Sequence, residues 1–274
     1  MLKDITFGQY FESNSFIHKL DPRTKLLSLF VIIVLIFVSQ NWFNLGVVAF
    51  LVTFCIILSK IPIVMYLKNI KAVLPILIFT MIINLFYAGN TSVEPTWSVN
   101  LFWNLTITNM SLNRAVYMVL RIFLLIIISA ELTYTTTPND LTDAIEKLLL
   151  PLRFIGLKNV VHTLAMMMTI ALRFIPTLIE ETQKIMNAQK ARGADLENGK
   201  LTERIKALIP ILIPLLISSV RRAYELAEAM ECRCYNGGEG RVRMKQLQYS
   251  ADDVFSFIIV AIVTITVIVI NIIL

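Results

Sequence analysis

Residues 159–193 read NVVHTLAMMMTIALRFIPTLIEETQKIMNAQKARG. Within them Leu164, Met167, Ala171, Phe174, Leu178, Ile185 and Ala188 recur at alternating three- and four-residue steps, with Glu181 as the one break. That spacing is the period of one helix face, and it predicts a helix of about 50 Å. The stripe closes on Ala191-Arg192-Gly193, where glycine supplies a left-handed stop. A second stretch, Leu201 to Cys234, repeats the design. Leu212, Leu216, Ser219, Ala223, Leu226 and Met230 keep the same steps, and the stripe ends on Arg233 between Cys232 and Cys234. Both tips share the frame of alanine, three residues, arginine: Ala188 to Arg192 and Ala229 to Arg233.

The rest of the chain says where these helices live. It has 274 residues, 57% of them hydrophobic and 16% charged, with a mean hydropathy of +0.72. A soluble domain averages about 25% charged residues and under half apolar. Apolar runs are spread along the whole length, so the expected fold class is an all-α integral membrane protein rather than a soluble domain on one anchor. No cleavable signal peptide is expected, because Lys3, Asp4, Glu12 and Lys19 precede the first apolar run near Leu26. The net charge of +6 is not a nucleic-acid signal. Basic residues of membrane proteins collect on the cytoplasmic side, and their distribution here fits that cause.

About five transmembrane helices are predicted, near 25–41, 43–60, 72–89, 113–133 and 252–273, each close to the ~20 residues that cross a bilayer. Lys3, Lys19, Arg23 and Lys25 precede the first, and Lys60, Lys68 and Lys71 separate the second from the third. The alternate links carry no Lys or Arg, while residues 134–250 hold sixteen of the chain's 25. This alternation puts the N-terminus in the cytoplasm. Trp42, Trp97 and Trp103 then fall in outside links, where interfacial rings belong. Arg114 and Arg121 share one face of the fourth span. Arg114 can snorkel to headgroups, whereas Arg121 lies deeper and should face protein or a cavity.

The sequence thus divides into a membrane domain (1–133), a cytoplasmic coupling-helix domain (134–250) and a C-terminal span (251–274). The middle part is expected to hold three interfacial helices. The first, Leu141–Phe154, follows the breaker Thr135-Thr136-Thr137-Pro138, with Asn139 or Asp140 as cap. The apolar half of the third, Leu208–Val220, is too short to span and suits a helix lying against a membrane or another hydrophobic protein. Ala171, Ser219, Ala223 and Ala227 would let the two long helices approach closely.

An arginine at a helix C-terminus is favoured by the dipole and the free carbonyls there. That explains one such site; two in the same frame point further. Guanidinium is suited to bidentate pairing with a carboxylate across an interface, and the small neighbours Ala191, Gly193, Cys232 and Cys234 would let each tip enter a groove. Cys55, Cys232 and Cys234 are too few for a closed metal site, and His18 and His162 show no ligand spacing. Asp252-Asp253 reads as a helix cap. No Gly-rich phosphate loop is present, so ATP is not expected to bind this chain.

These motifs together resemble the transmembrane T component (EcfT type) of energy-coupling-factor transporters, the ABC-type importers of vitamins and metal ions in prokaryotes. Ala191-Arg192-Gly193 matches the family's first signature, and Cys232-Arg233-Cys234 keeps the arginine of the second. Leu20-Asp21-Pro22-Arg23-Thr24-Lys25-Leu26, the Thr-Thr-Pro step at 136–138 and Ala171-Leu172-Arg173-Phe174-Ile175-Pro176 are further matches, in the family's order. The resemblance implies that the chain is a scaffold in the plasma membrane, with no cofactor of its own. Ala191, Arg192, Gly193, Cys232, Arg233 and Cys234 would dock two cytoplasmic ATPase subunits, which bind ATP and magnesium. Leu164, Met167, Ala171, Phe174, Leu212, Leu216, Ser219 and Ala223 would form a platform for a substrate-binding S subunit in the membrane. The unlike tips favour two different ATPase chains. The rivals are a self-contained secondary transporter, which would favour an internal repeat of spans, and a membrane enzyme, which would need clustered catalytic groups.

Overall fold

A computed structural model describes residues 10–87, 98–101, 105–151, 158–194, 201–237 and 247–273. Among these residues the chain forms nine helices: α1 (Phe16–Lys19), α2 (Pro22–Val38), α3 (Trp42–Ser59), α4 (Ile63–Tyr87), α5 (Asn109–Thr135), α6 (Pro138–Leu149), α7 (Lys158–Ala191), α8 (Leu201–Cys232) and α9 (Ala251–Ile273). The fold is all-α, with one addition. Strands β1 (Ser98–Leu101) and β2 (Leu105–Thr108) pair antiparallel, Ser98 opposite Thr108 and Leu101 opposite Leu105, in the link between α4 and α5. Trp97 and Trp103 lie outside the described residues. The chain separates into two compact units, one holding α1–α5, the hairpin and α9, the other α6–α8.

In the first unit α2, α3, α5 and α9 surround a common core. Ile36, Val48, Val52 and Val267 are fully or almost fully buried there, with Leu35, Leu51, Leu124, Ile127 and Ile128 around them. The outward faces are equally apolar: Phe30, Phe50, Ile57, Val64 and Ile272 are exposed. A face of this kind is at home in lipid, where every backbone group is already bonded within its helix. In lipid the helices gain little from burial as such, so contact packing and polar ties must hold them together.

Those ties gather where α2 and α9 begin and α5 ends. Asp21 caps α2, its carboxylate accepting from the Arg23 N–H at 2.9 Å, and Pro22 takes the first helical position, where a missing N–H costs nothing. Asp253 accepts from the Ser250 N–H at 2.7 Å, the Ser250 hydroxyl at 2.9 Å and the Asp21 N–H at 2.8 Å. One carboxylate thus closes a capping box on α9 and reaches the start of α2. Lys25 Nζ donates to the carbonyls of Thr135 at 2.8 Å and His18 at 3.2 Å. Arg23 donates to the Leu247 carbonyl and lies 4.9 Å from the centre of the Tyr249 ring.

Two helix starts differ from expectation. Helix α4 starts at Ile63, nine residues before the expected span, and takes in Lys68, Lys71 and Pro75. Their long stems let the two lysines run with a helix whose end meets water. Helix α6 begins at Pro138, so Asn139 and Asp140 stand inside its first turn instead of capping it. Helices α7 and α8 are also long and apolar enough to cross a membrane, over Val160–Ala191 and Lys206–Cys232, as are α3, α4, α5 and α9. Helix α2 has 17 residues, about 25 Å.

Candidate docking surface and its supports

Helices α7 and α8 run antiparallel. Gln189 Nε2 donates to the Pro210 carbonyl at 3.4 Å, Glu181 accepts from the Ser218 hydroxyl and pairs with Arg222, and the Tyr235 hydroxyl meets Met166 Sδ at 2.8 Å. As the α7 number falls, the α8 number rises. The C-terminal tips therefore lie at opposite ends of the pair. About 23 residues separate Pro210 from Arg233, which places the two arginines roughly 35–40 Å apart along its length.

The tips share one backbone design. At the end of α7, Gly193 N–H donates to the Lys190 carbonyl at 3.0 Å and Ala194 N–H to Gln189 at 3.0 Å, with Gly193 at φ +89°. At the end of α8, Cys234 N–H donates to Glu231 at 2.8 Å and Tyr235 N–H to Met230 at 3.0 Å, with Cys234 at φ +55°. Both are Schellman motifs, and each arginine is the last residue before the left-handed turn. The likeness that the two alanine-to-arginine frames suggested is thus a likeness of three-dimensional structure. Their cost differs: glycine takes positive φ freely, whereas a side-chain-bearing residue there pays about 1–2 kcal/mol. Ala191, Arg192, Gly193, Cys232, Arg233 and Cys234 are all exposed, and among the described residues neither guanidinium has a hydrogen-bond or ion-pair partner.

The residues read as a platform point mostly outward. Leu164, Met167, Leu212 and Leu216 are 52–66% exposed, Ala171 and Ala223 are exposed, and Phe174 and Ser219 are half-buried. The face of α8 that packs shares the half-buried Leu226 and Met230 with the expected stripe; elsewhere it is the adjacent one, where Ile211 and Ser218 are buried and Leu215 and Arg222 are half-buried. Ala171, Ala223 and Ala227 are thus exposed rather than forming a close contact; the seam follows the neighbouring stripe, one position earlier on α8. Val161 and Ala165 are buried on α7, and His162 Nδ1 lies 3.2 Å from Glu146 Oε1, tying α6 to α7.

Two clusters in the first unit were not foreseen in role. Arg121 Nη2 donates to the Ser39 carbonyl at 2.5 Å, beside the Tyr117 hydroxyl, which bonds the same oxygen at 2.7 Å. Its charge neutralises the carbonyl end of α2, so it faces protein; Arg114 is exposed. Glu131 is 5% exposed and accepts from the Tyr66 hydroxyl at 2.9 Å, with Ser59 beyond it. Near the start of the described chain, His18 Nδ1 lies 2.6 Å from the Ser15 hydroxyl and Nε2 lies 2.8 Å from the Phe11 carbonyl. Burial holds the His18 ring below its ordinary value of 6.5, with Lys25 pushing the same way against the pull of backbone carbonyls.

Comparison with known proteins adds a family. The model of the CbiQ family, described as cobalt transport protein, matches residues 13–244, a range that contains both long helices and both tips. The chain is 50% identical over 255 residues to the energy-coupling factor transporter transmembrane protein EcfT of Ruminiclostridium cellulolyticum, covering 93% of this chain and 92% of that one. It is 48% identical over 254 residues to the protein of the same name from Clostridium kluyveri, covering 92% of each. With the Lactococcus lactis protein the figure is 40% over 269 residues, covering 98% of each. This multi-pass membrane protein of the plasma membrane belongs to the CbiQ family, as a transmembrane component of the energy-coupling-factor transporter type.

Proposed function

We propose that the chain links ATP hydrolysis in two cytoplasmic ATPase subunits to uptake through a membrane S subunit, and that Arg192 and Arg233 are its two points of contact with those ATPases. The observation that carries this reading is the pair of matching Schellman tips, each offering an exposed arginine with no partner among the described residues. A two-lobed ATPase partner needs two such points, well separated, and the antiparallel pair supplies them at opposite ends. Nucleotide and magnesium would bind those partners. The unlike tips, one closed by glycine and one by cysteine, favour two different ATPase chains.

The same geometry supports one membrane position over another. If α7 and α8 each crossed the bilayer, the antiparallel pair would present Arg192 and Arg233 on opposite sides. Arg192 and Lys206 would then sit outside, against the distribution of basic residues in membrane proteins. A pair lying along the cytoplasmic face satisfies both arginines at once. On this reading, with the N-terminus inside, α6–α8 form the coupling domain within residues 134–250, between membrane parts at 1–133 and 251–274 in sequence. The outward apolar residues Leu164, Met167, Ala171, Phe174, Leu212, Leu216, Ser219 and Ala223 would then meet the S subunit. An exposed apolar face of this size marks an interaction surface.

The test is retention of the ATPases. Arg192→Glu with Arg233→Glu should release both from the solubilised complex while the chain still inserts in the membrane. Undiminished co-purification of both ATPases with that double variant would remove the docking assignment.

A further inference from the structure

Glu181 is the one carboxylate in the apolar stripe of α7, and the structure gives it two partners on α8. It accepts from the Ser218 hydroxyl, and Arg222 Nη2 lies 2.5 Å from its second oxygen. Ser218 and Arg222 are four residues apart, so they stand one above the other on a single helix face. Ser218 is 8% exposed, and the side chains of Glu181 and Arg222 are 19% and 33% exposed. The Glu181 oxygen that meets Arg222 is itself buried, so desolvation offsets much of the attraction, and apolar residues in place of the pair would pack about as well.

What such a polar group does supply in an apolar seam is axial alignment. Helices of 34 and 32 residues faced with Leu, Ile and Met can repack after sliding by one turn, about 5.4 Å. A slide of one turn would change the spacing of Arg192 and Arg233 by the same amount. Two tips held by two separate partners can both stay engaged across such an error, but the motion that they pass between those partners and the membrane is then misdirected. The clasp sits in the middle of the pair, between the Gln189–Pro210 and Met166–Tyr235 contacts.

We infer that Glu181, Ser218 and Arg222 form a positioning clasp that fixes the spacing of the two arginine tips and so determines how much of the ATPase motion reaches the membrane. This rests on reading the tips as ATPase contacts. Glu181→Gln and Arg222→Gln, each in the complete complex reconstituted in proteoliposomes, should keep both ATPases bound and hydrolysing ATP. The substrate taken up per ATP hydrolysed should fall by roughly tenfold or more, as misplacement of a few ångströms does elsewhere. The double variant Glu181→Arg with Arg222→Glu restores the pair and should recover most of that ratio. Spin labels on Cys232 and on Ala191→Cys, in a full-length chain carrying Cys55→Ala and Cys234→Gly, read the tip spacing directly. The intact clasp should give one narrow distance, and Glu181→Gln should add a population displaced by about 5 Å.

An unchanged uptake-to-hydrolysis ratio, an unchanged distance distribution in Glu181→Gln, or no recovery in the swapped pair overturns the clasp. Loss of the ATPases from Glu181→Gln also overturns it, since the group would then serve docking itself. Failure of the Arg192 and Arg233 reversals to release the ATPases would instead overturn the docking assignment, and the distance measurement would still judge the clasp.

Discussion

Lys25 Nζ donates to the Thr135 carbonyl at 2.8 Å, across 110 residues of sequence. It joins the first turn of α2 to the last turn of α5, where unpaired carbonyls and the negative end of the helix favour a cation. Lys25 is 8% exposed, so its bond is sheltered from water. Lys25→Met should lower stability by about 1.5–3 kcal/mol, the worth of a bond to a charged group. Thermal unfolding in detergent checks this, and a midpoint equal to that of the parent chain would show that the tie is idle.

Asp253 accepts three bonds that join the start of α9 to the start of α2. Asp253→Ala leaves the Asp21 N–H buried without a partner, at a cost of about 1–3 kcal/mol. Asp252→Ala, one residue away and exposed, should cost far less. Comparing the two by the same thermal assay isolates the bonds from the charge.

Cys234 holds a left-handed turn that suits glycine. Cys234→Gly should therefore stabilise the end of α8 by about 1 kcal/mol, whereas Gly193→Ala should destabilise the end of α7 by a similar amount. Space is not the issue at Gly193, where an added Cβ would meet nothing within 4 Å. Amide hydrogen exchange over the last turn of each helix should move in opposite directions for the two variants.

The His18 ring is held below 6.5 by burial and by Lys25. The folded chain resists a proton that the unfolded chain accepts, so the contribution of this ring is complete above about pH 6.5 and declines as pH falls below it. A neutral ring suits the contacts, with Nε2–H donating to the Phe11 carbonyl and Nδ1 accepting from the Ser15 hydroxyl. Unfolding midpoints measured between about pH 7.5 and 5.5 should fall for the parent and flatten for His18→Gln.

Much of this was legible in sequence because it depends on local pattern. Apolar runs located α2, α3, α5 and α9, and the stripe with its Gly193 stop located the end of α7. The Asp252-Asp253 cap was readable because a capping box lies within four residues. What escaped depends on contacts between distant segments. The role of Lys25 needs Thr135, and the role of Arg121 needs Ser39. The packing face of α8 runs through Ile211, Leu215, Ser218 and Arg222, one position before the expected stripe, because the expected stripe is the more apolar of the two. Periodicity finds an apolar face but does not say which of two faces meets protein and which stays open. Glu181 did leave a signal, as the only break in its stripe, with Ser218 and Arg222 four residues apart on the facing helix.

The most direct test of the account is ATP-driven uptake by the complete complex in proteoliposomes, with Arg192→Glu and Arg233→Glu separately and together. Removing one member of a charged contact costs about 2–5 kcal/mol of binding, roughly thirtyfold or more in affinity. Each single variant should therefore be impaired and the double variant inactive, with membrane levels unchanged. Uptake at the parent rate by the double variant would contradict the central claim that these two helix tips hold the ATPases.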